Sequence, residues 1–328
     1  QNIVINEAPE QEPVIVERKV ERVEYKVPKI KHVIPDGPLK GWDIDVRAGV
    51  GDFNIARTFE DGAEEDEAYG TNWFQIGLNY ADQNTNFKSL IAKTQGQEEL
   101  GREYNWLPIA QPGFEIEGLA AAVEWEEKLF STGKNKKGPF VSLIGGAQYT
   151  SAENKYNWGF GTQDTFHEQN NLEGKVGIGI GIGRFDDSYF RVAAVAVAQE
   201  ITDETCGYCG IDSDSAIEVT PRVEVDLQKV FKNKEGEAKG VVRAGFDLGI
   251  NELIWTNDEH ELVDGWHGNF KLEAGKIWNT KGGNQIELGA TFKVFGDYSD
   301  FQARPNALKD FDVNTHGKSI GAYIKYRF

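Results

Sequence analysis

Methionine is missing from all 328 residues, the first included. The chain is therefore expected to be processed, with a leader carrying the initiator removed as in secretion. Cysteine is nearly missing. Only Cys206 and Cys209 occur, too few for a disulfide scaffold or a closed four-cysteine zinc site. Long apolar runs are missing as well. The longest stretch, Val192 to Ala198, falls far short of the ~18 residues a membrane helix needs, so transmembrane helices are excluded. Positive charge is in deficit. The net charge of -18 argues against nucleic acid as a partner, since a phosphate-binding chain should be basic. None of these absences excludes a membrane-spanning β-barrel. Such a barrel needs only alternate residues to be apolar, so its mean hydropathy can be as low as the -0.50 found here.

Glycine is abundant, at 37 residues, and aromatics make up 12%. Proline is uneven. Five of the ten lie in the first 40 residues (Pro9, Pro13, Pro28, Pro35, Pro38), around the charged stretch VIVERKVERVEYKV from Val14 to Val27. Residues 1–40 read as an extended arm or a short, poorly supported helix, not as a packed domain.

From Trp42 onward the dominant period is two. Trp42, Ile44, Val46, Ala48 and Val50 alternate with Asp43, Asp45, Arg47 and Gly49. Similar rows run through Phe74–Tyr80, Val141–Tyr149, Val176–Ile182, Ile217–Leu227, Val242–Ile250, Phe270–Ala274, Ile286–Val294 and Ile320–Phe328. Alternate side chains of a strand face opposite sides of the sheet. Each row thus has one apolar face and one polar or glycine face. Three further segments are counted as strands: Phe87–Thr94, Phe190–Ala198, and Phe114–Trp125, whose change of parity near Gly118 suggests a bulge. That makes about twelve strands over residues 41–328.

The connections alternate between short and long. The short ones are Asp82–Asn86, Ser131–Gly138, Phe185–Ser188, Asn233–Lys239 and Asn279–Asn284, several of them basic. The long ones are Thr58–Thr71, Gln95–Gln111, Ser151–Asn170, Thr202–Ser215, Thr256–Gly265 and Ser299–Gly317, two of them strongly acidic. A closed meander with two unlike rims has this pattern. The reading is all-β: a transmembrane antiparallel up-and-down barrel of about 12 strands, with a periplasmic N-terminal arm. A soluble sandwich or lipocalin-like barrel also alternates. It would, however, have to fill a large apolar cavity, and it gives no reason for two classes of connection. Aromatics near strand ends (Trp42, Trp73, Tyr80, Trp125, Phe140, Tyr149, Phe190, Trp266, Tyr326, Phe328) are assigned to interfacial girdles.

The last residues, GAYIKYRF, resemble the C-terminal signature of bacterial outer-membrane β-barrel proteins, with Phe328 last, Tyr326 two before it, and Ile324, Ala322 and Ile320 upstream. The resemblance implies an outer-membrane location, a terminal strand (Ile324, Tyr326, Phe328) read by the barrel-assembly machinery, and contact with outer-membrane lipids and lipopolysaccharide. The arm (EPVIVERKVERVEYKV) is similar to the charged leader of some major porins of anaerobic diderm bacteria. Twelve-strand barrels include channels, phospholipases and autotransporter translocators, so fold alone does not choose among them.

In the membrane reading the charged rows line the lumen: Asp43, Asp45, Arg47, Arg191, Arg222, Glu224, Asp226, Arg243, Asp247, Lys325 and Arg327, with Glu218, Lys271, Glu273 and Glu287 beside them. They suit either a narrow aqueous pore or a lumen packed shut by salt bridges. The expectation is a porin-like channel for small hydrophilic solutes. Acidic residues at 60–67 give it a modest cation preference. The alternative is a closed barrel that presents surface loops and a periplasmic tether. The ladder Gly177, Gly179, Gly181 and Gly183 either leaves room inside the barrel or marks a sharp bend. Cys206 and Cys209 read as a loop disulfide, because neighbouring acids disfavour a thiolate. The outer-membrane phospholipases carry a His-x-Ser pair that is absent here, and Asp258 with His260 offers only a faint likeness to the outer-membrane proteases. No enzyme activity, cofactor or metal site is expected. The arm either holds the barrel to peptidoglycan or a periplasmic partner, plugs the lumen with Arg18, Lys19, Arg22, Lys26, Lys29 and Lys31, or is a disordered tail.

Overall fold

A computed structural model describes residues 37–59, 62, 64–99, 113–157, 163–207, 210–250, 252–256, 260–280, 282–303 and 311–328. The expectations placed on the arm lie outside them, apart from its last four residues.

The described chain is a ring of antiparallel strands. In chain order these are β1 (Gly41–Phe59), β2 (Glu64–Ala81), β3 (Thr85–Glu99), β4 (Gly113–Ser131), β5 (Pro139–Asn157), β6 (Gln163–Gly183), β7 (Tyr189–Gly207), β8 (Gly210–Lys232), β9 (Ala238–Ile250), β10 (Glu252–Thr256), β11 (His260–Asn279), β12 (Gln285–Ala303) and β13 (Phe311–Arg327). Apart from β9 and β10, each pairs with its sequence neighbours, and β13 closes on β1 from Asp43↔Arg327 to Phe59↔Phe311. β9 and β10 both pair with β8, and the register carries over from Arg222↔Gly249 to Val219↔Glu252, with shifts only further out, between Phe231 and Lys232 and between Leu253 and Trp255. Together they form a single stave, so the barrel has twelve.

Polarity is inverted relative to a water-soluble protein. Ile44, Ile76, Leu78, Ile178, Ile180, Leu248, Ile320 and Ile324 are exposed on the outside, while Asp45, Arg47, Arg191, Glu273 and Glu287 are buried inside. Soluble monomers rarely expose contiguous apolar patches beyond a few hundred Å². A continuous apolar belt around a closed barrel needs lipid against it, and closure satisfies every ladder hydrogen bond without an edge. No helix among the described residues is long and apolar enough to cross a membrane; strands do the crossing.

The five short connections fall where the sequence placed them, at one rim, together with the C-terminus and the start of β1. Asp82 caps one, accepting from the N–H groups of Asn84 and Thr85 at 2.7 Å each. The long connections need correction. Pairing continues through much of what alternation left as loop, to Thr58↔Glu64 between β1 and β2 and to Gly207↔Gly210 between β7 and β8. A 19-residue stave is roughly 60 Å long at ~3.3 Å per residue, more than the ~25 Å apolar band requires even when tilted. The far ends therefore stand clear of the bilayer. No alternation in the sequence marks these ends as strand.

Two smaller expectations also change. Register runs unbroken through Gly118, which pairs with Thr94 and Ala152, and the shift in β4 comes between Lys128 and Phe130 instead. Trp73 and Phe140 do not belong to a girdle; both face the lumen. Gly49 and Gly321 pair side by side and make a recess in which the Trp73 indole lies, about 2.5 Å from where their Cβ atoms would be. Phe140 lies over Gly181 in the same way. A girdle does form at the short-turn rim. The Trp42 ring lies 5.1 Å from Tyr80 and 6.0 Å from Phe87, and Tyr326 stacks on Phe328 at 6.2 Å.

Candidate functional site

The inward faces of the staves bring opposite charges together in two clusters. In the first, Arg191 on β7 is 2% exposed and reaches Glu126 on β4 and Glu224 on β8 at 2.9 Å each, with Asp226 as a third partner. Ser142 donates to the other Glu126 oxygen at 2.5 Å. Lys175 bridges Glu124 and Glu224, both at 2.6 Å, and Lys88 reaches Glu124 at 3.2 Å. In the second, Arg47 on β1 holds Asp45 at 2.6 Å and also pairs with Glu273. Lys325 reaches Asp45 at 3.3 Å and Lys271 reaches Glu273 at 2.7 Å. Arg243 forks onto Glu287 at 2.5 and 3.1 Å, and the Tyr323 hydroxyl donates to the same carboxylate at 2.8 Å. Beside the second cluster, on the same two strands, Arg327 pairs with Asp43 at 2.9 Å.

The sequence produces this arrangement simply. Rows such as Asp43-x-Asp45-x-Arg47 put one charge on the lumen side every second residue, and closure sets each row against its neighbours. Every ion removed from water costs several kcal/mol, which is recovered only where geometry is good and the remaining hydrogen-bonding positions are filled. The forked Arg243–Glu287 pair, closed by Tyr323, meets that condition; among the described residues the Asp45 Oδ1 and the Arg191 Nε are buried without a hydrogen-bond partner.

All eleven charged residues expected in the lumen face it. Arg222 and Asp247 lie outside the two clusters. Arg222 approaches Glu173 at 3.9 Å, and Asp247 meets His267 at 2.8 Å and Asn269 at 3.0 Å. The side chain of Glu218 is outside the description. Sequence reading missed Lys88, Glu124, Glu126, Lys128, Lys175 and Tyr323. Parity would have found Glu124 and Glu126, which alternate with Val123 and Trp125, and Lys175, which continues the glycine row.

The ladder faces inward and its room is taken. A Cβ on Gly177 would lie 2.7 Å from Val195, and one on Gly179 would lie 2.6 Å from the Ser142 hydroxyl and 3.3 Å from Arg191. Gly183 has φ +106°, a conformation only glycine adopts easily, and it turns the chain inward. The disulfide expectation lies outside the description, because Cys209 is not described and only the backbone of Cys206, paired with Ile211, is.

The turn after Gly183 folds into the mouth of the lumen. Arg184, Phe185, Asp186 and Asp187 are all buried. Gln228 donates its amide N–H groups to the Phe185 and Asp187 carbonyls at 2.9 and 2.5 Å. Lys128 donates to the Gly183 carbonyl at 2.7 Å and sits over the Phe140 and Phe185 rings. Lys232 and Lys137 hold Asp187 at 2.7 and 3.4 Å. Burial alone would raise the Asp187 carboxyl, but the two ammonium groups more than offset this and keep it below its usual range. The chain entering β1 straps the turn down. The Gly37 N–H donates to the Asp186 carboxylate at 2.8 Å and the Leu39 N–H to its carbonyl at 3.0 Å. Leu39 itself is buried among Val230, Ala238, Val241 and Ile277. Behind this plug lies a cavity of about 220 Å³, of mixed polarity, bordered by Gln75, Asn79, Lys88, Tyr189, Arg243 and Lys271 among others.

No family description matches the sequence, and no curated protein sequence matches it. Solved structures with a similar outline include the translocator domain of the autotransporter NalP from Neisseria meningitidis, at 10% identity and TM-score 0.47 over 88% of this chain and 89% of that one. Others are the transport unit of the autotransporter AIDA-I from Escherichia coli (12%, 0.43, 88% and 90%) and an outer membrane channel from Pseudomonas putida F1 (11%, 0.41, 88% and 96%). The fold rests on the ring of pairings and the inverted polarity described above. Closed by β1 and β13, apolar towards lipid and charged within, the chain is a twelve-stranded transmembrane β-barrel.

Proposed function

We propose that the barrel is a narrow passage for small hydrophilic solutes, held shut at the short-turn rim by the inward turn. The observation that carries this reading is the cavity inside the lumen, bordered by six cations and four carboxylates. Lys88 and Lys271 remain about half exposed there, so water reaches well into the barrel. A lumen serving stability alone has a cheaper solution, since packed apolar side chains often match or exceed buried ion pairs in stability. The cation preference expected from the sequence rested on acidic residues at 60–67, whose side chains are outside the description.

A second reading, a permanently closed barrel, is favoured by one observation: the seat of Phe185 between Phe140 and Tyr189, with ring centroids 5.4 and 5.3 Å apart. Proteoliposome swelling distinguishes the two. The passage reading expects slow swelling in a pentose for the wild type, faster swelling for Phe185→Ser, and little in a disaccharide for either. Folded Phe185→Ser protein that admits no pentose would establish the closed barrel.

A further inference from the structure

We infer that the narrow part of the lumen takes small anions, and that Lys88 and Lys271 are the residues that select them. As a statement about transport this rests on the passage reading; as a statement about binding it does not. The cavity of about 220 Å³ equals roughly seven waters at ~30 Å³ each. That suits inorganic phosphate or a short carboxylate, not an oligosaccharide.

Accessibility decides the sign. Six basic side chains and four carboxylates border the cavity, and three of the carboxylates are turned into the wall. Asp45 and Glu273 are 3% and 4% exposed, clamped by Arg47, and Asp43 is covered by Arg327. Asp226, the most open of the four, is engaged by Arg191. Lys88 and Lys271 differ from these, at 48% and 42% exposed. Their own partners are shared. Glu124 is also held by Lys175, and Glu273 also by Arg47 and Arg243. A solute in the cavity therefore meets a lining of six cations against four carboxylates, with two accessible ammonium groups among the cations. Low-dielectric walls focus that field.

The test is titration of inorganic phosphate into the folded protein in detergent, read by calorimetry and by ³¹P line width. It uses the wild type, the double variant Lys88→Gln/Lys271→Gln and the charge-preserving Lys88→Arg/Lys271→Arg. The glutamine pair leaves each carboxylate with a remaining cation, and heat-modifiable gel migration verifies that it folds. Saturable binding to the wild type is expected, weakened at least tenfold in the glutamine pair and recovered in the arginine pair. Absence of saturable binding, or equal affinity in all three, overturns the inference. In a planar bilayer under a KCl gradient, Phe185→Ser is expected to give an anion-favouring reversal potential that moves towards cations when the glutamine pair is added. A cation-favouring potential that the pair does not move overturns the inference. Phosphate binding without any conductance removes the passage reading and leaves the binding site standing.

Discussion

Gly179 is the floor on which Arg191 lies. A Cβ there would stand 3.3 Å from the arginine Cδ, and the guanidinium beyond it serves three carboxylates on two other staves. A glycine on β6 thus creates the space for the first charge cluster. Gly179→Val is expected to push Arg191 off Glu126 and destabilise the barrel by about 2–4 kcal/mol, combining overpacking with a disturbed ion pair. Equilibrium urea unfolding in detergent measures it. An unchanged midpoint would show that Arg191 has room to spare.

Arg191→Met should cost more, about 3–5 kcal/mol, because it leaves Glu126, Glu224 and Asp226 buried or half-buried without their shared cation. Adding Glu126→Gln is expected to recover part of that loss. A double-mutant cycle with no coupling would mean the 2.9 Å contact carries no net energy.

The barrel was legible in the sequence and the plug was not, for a physical reason. Within the bilayer, lipid on one side and charge on the other force strict alternation. Trp42 to Val50 therefore declared both its strand and its lumen face, and Asp43, Asp45 and Arg47 followed. The same parity, applied to Phe74 and Ile76 or to Val141 and Leu143, also assigns Trp73 and Phe140 to the lumen; position near a strand end was the weaker signal. Outside the bilayer that constraint lapses, so the strand ends near Thr58 and Gly207 looked like loop. The inward turn at Arg184–Asp187 depends on contacts with Gln228, Lys128 and Leu39, far away in sequence, and no local pattern announces them.

Acid should loosen the turn. The Asp187 carboxyl lies below its usual range in the closed form, so its pairs with Lys232 and Lys137 stabilise closure at neutral pH. That contribution is lost as pH falls through the depressed value, below about 4. Tryptic cleavage after Arg184 is the readout at neutral pH for Asp187→Asn, which is expected to be cut faster than the wild type. Pepsin footprinting of the turn reports the acid transition in the wild type. Equal cleavage rates for the two proteins would show that Gln228 and Lys128 hold the turn unaided.

The lipid face should resist charge where the lumen accepts it. Ile178→Arg places a guanidinium in the apolar belt and is expected to destabilise by about 2–4 kcal/mol if near the bilayer midplane. Ile250→Arg, nearer the far end of its stave, should cost less. Urea unfolding in lipid vesicles separates them, and equal, negligible costs would contradict an apolar belt in contact with lipid.

Single-channel recording is the most direct test of a plugged passage, comparing wild type with Phe185→Ser in the same bilayer. The account predicts rare, brief openings for the wild type and long, stable steps of small conductance once the phenyl ring is gone. A wild type that conducts steadily, with Phe185→Ser no different, would show that the turn does not close the lumen.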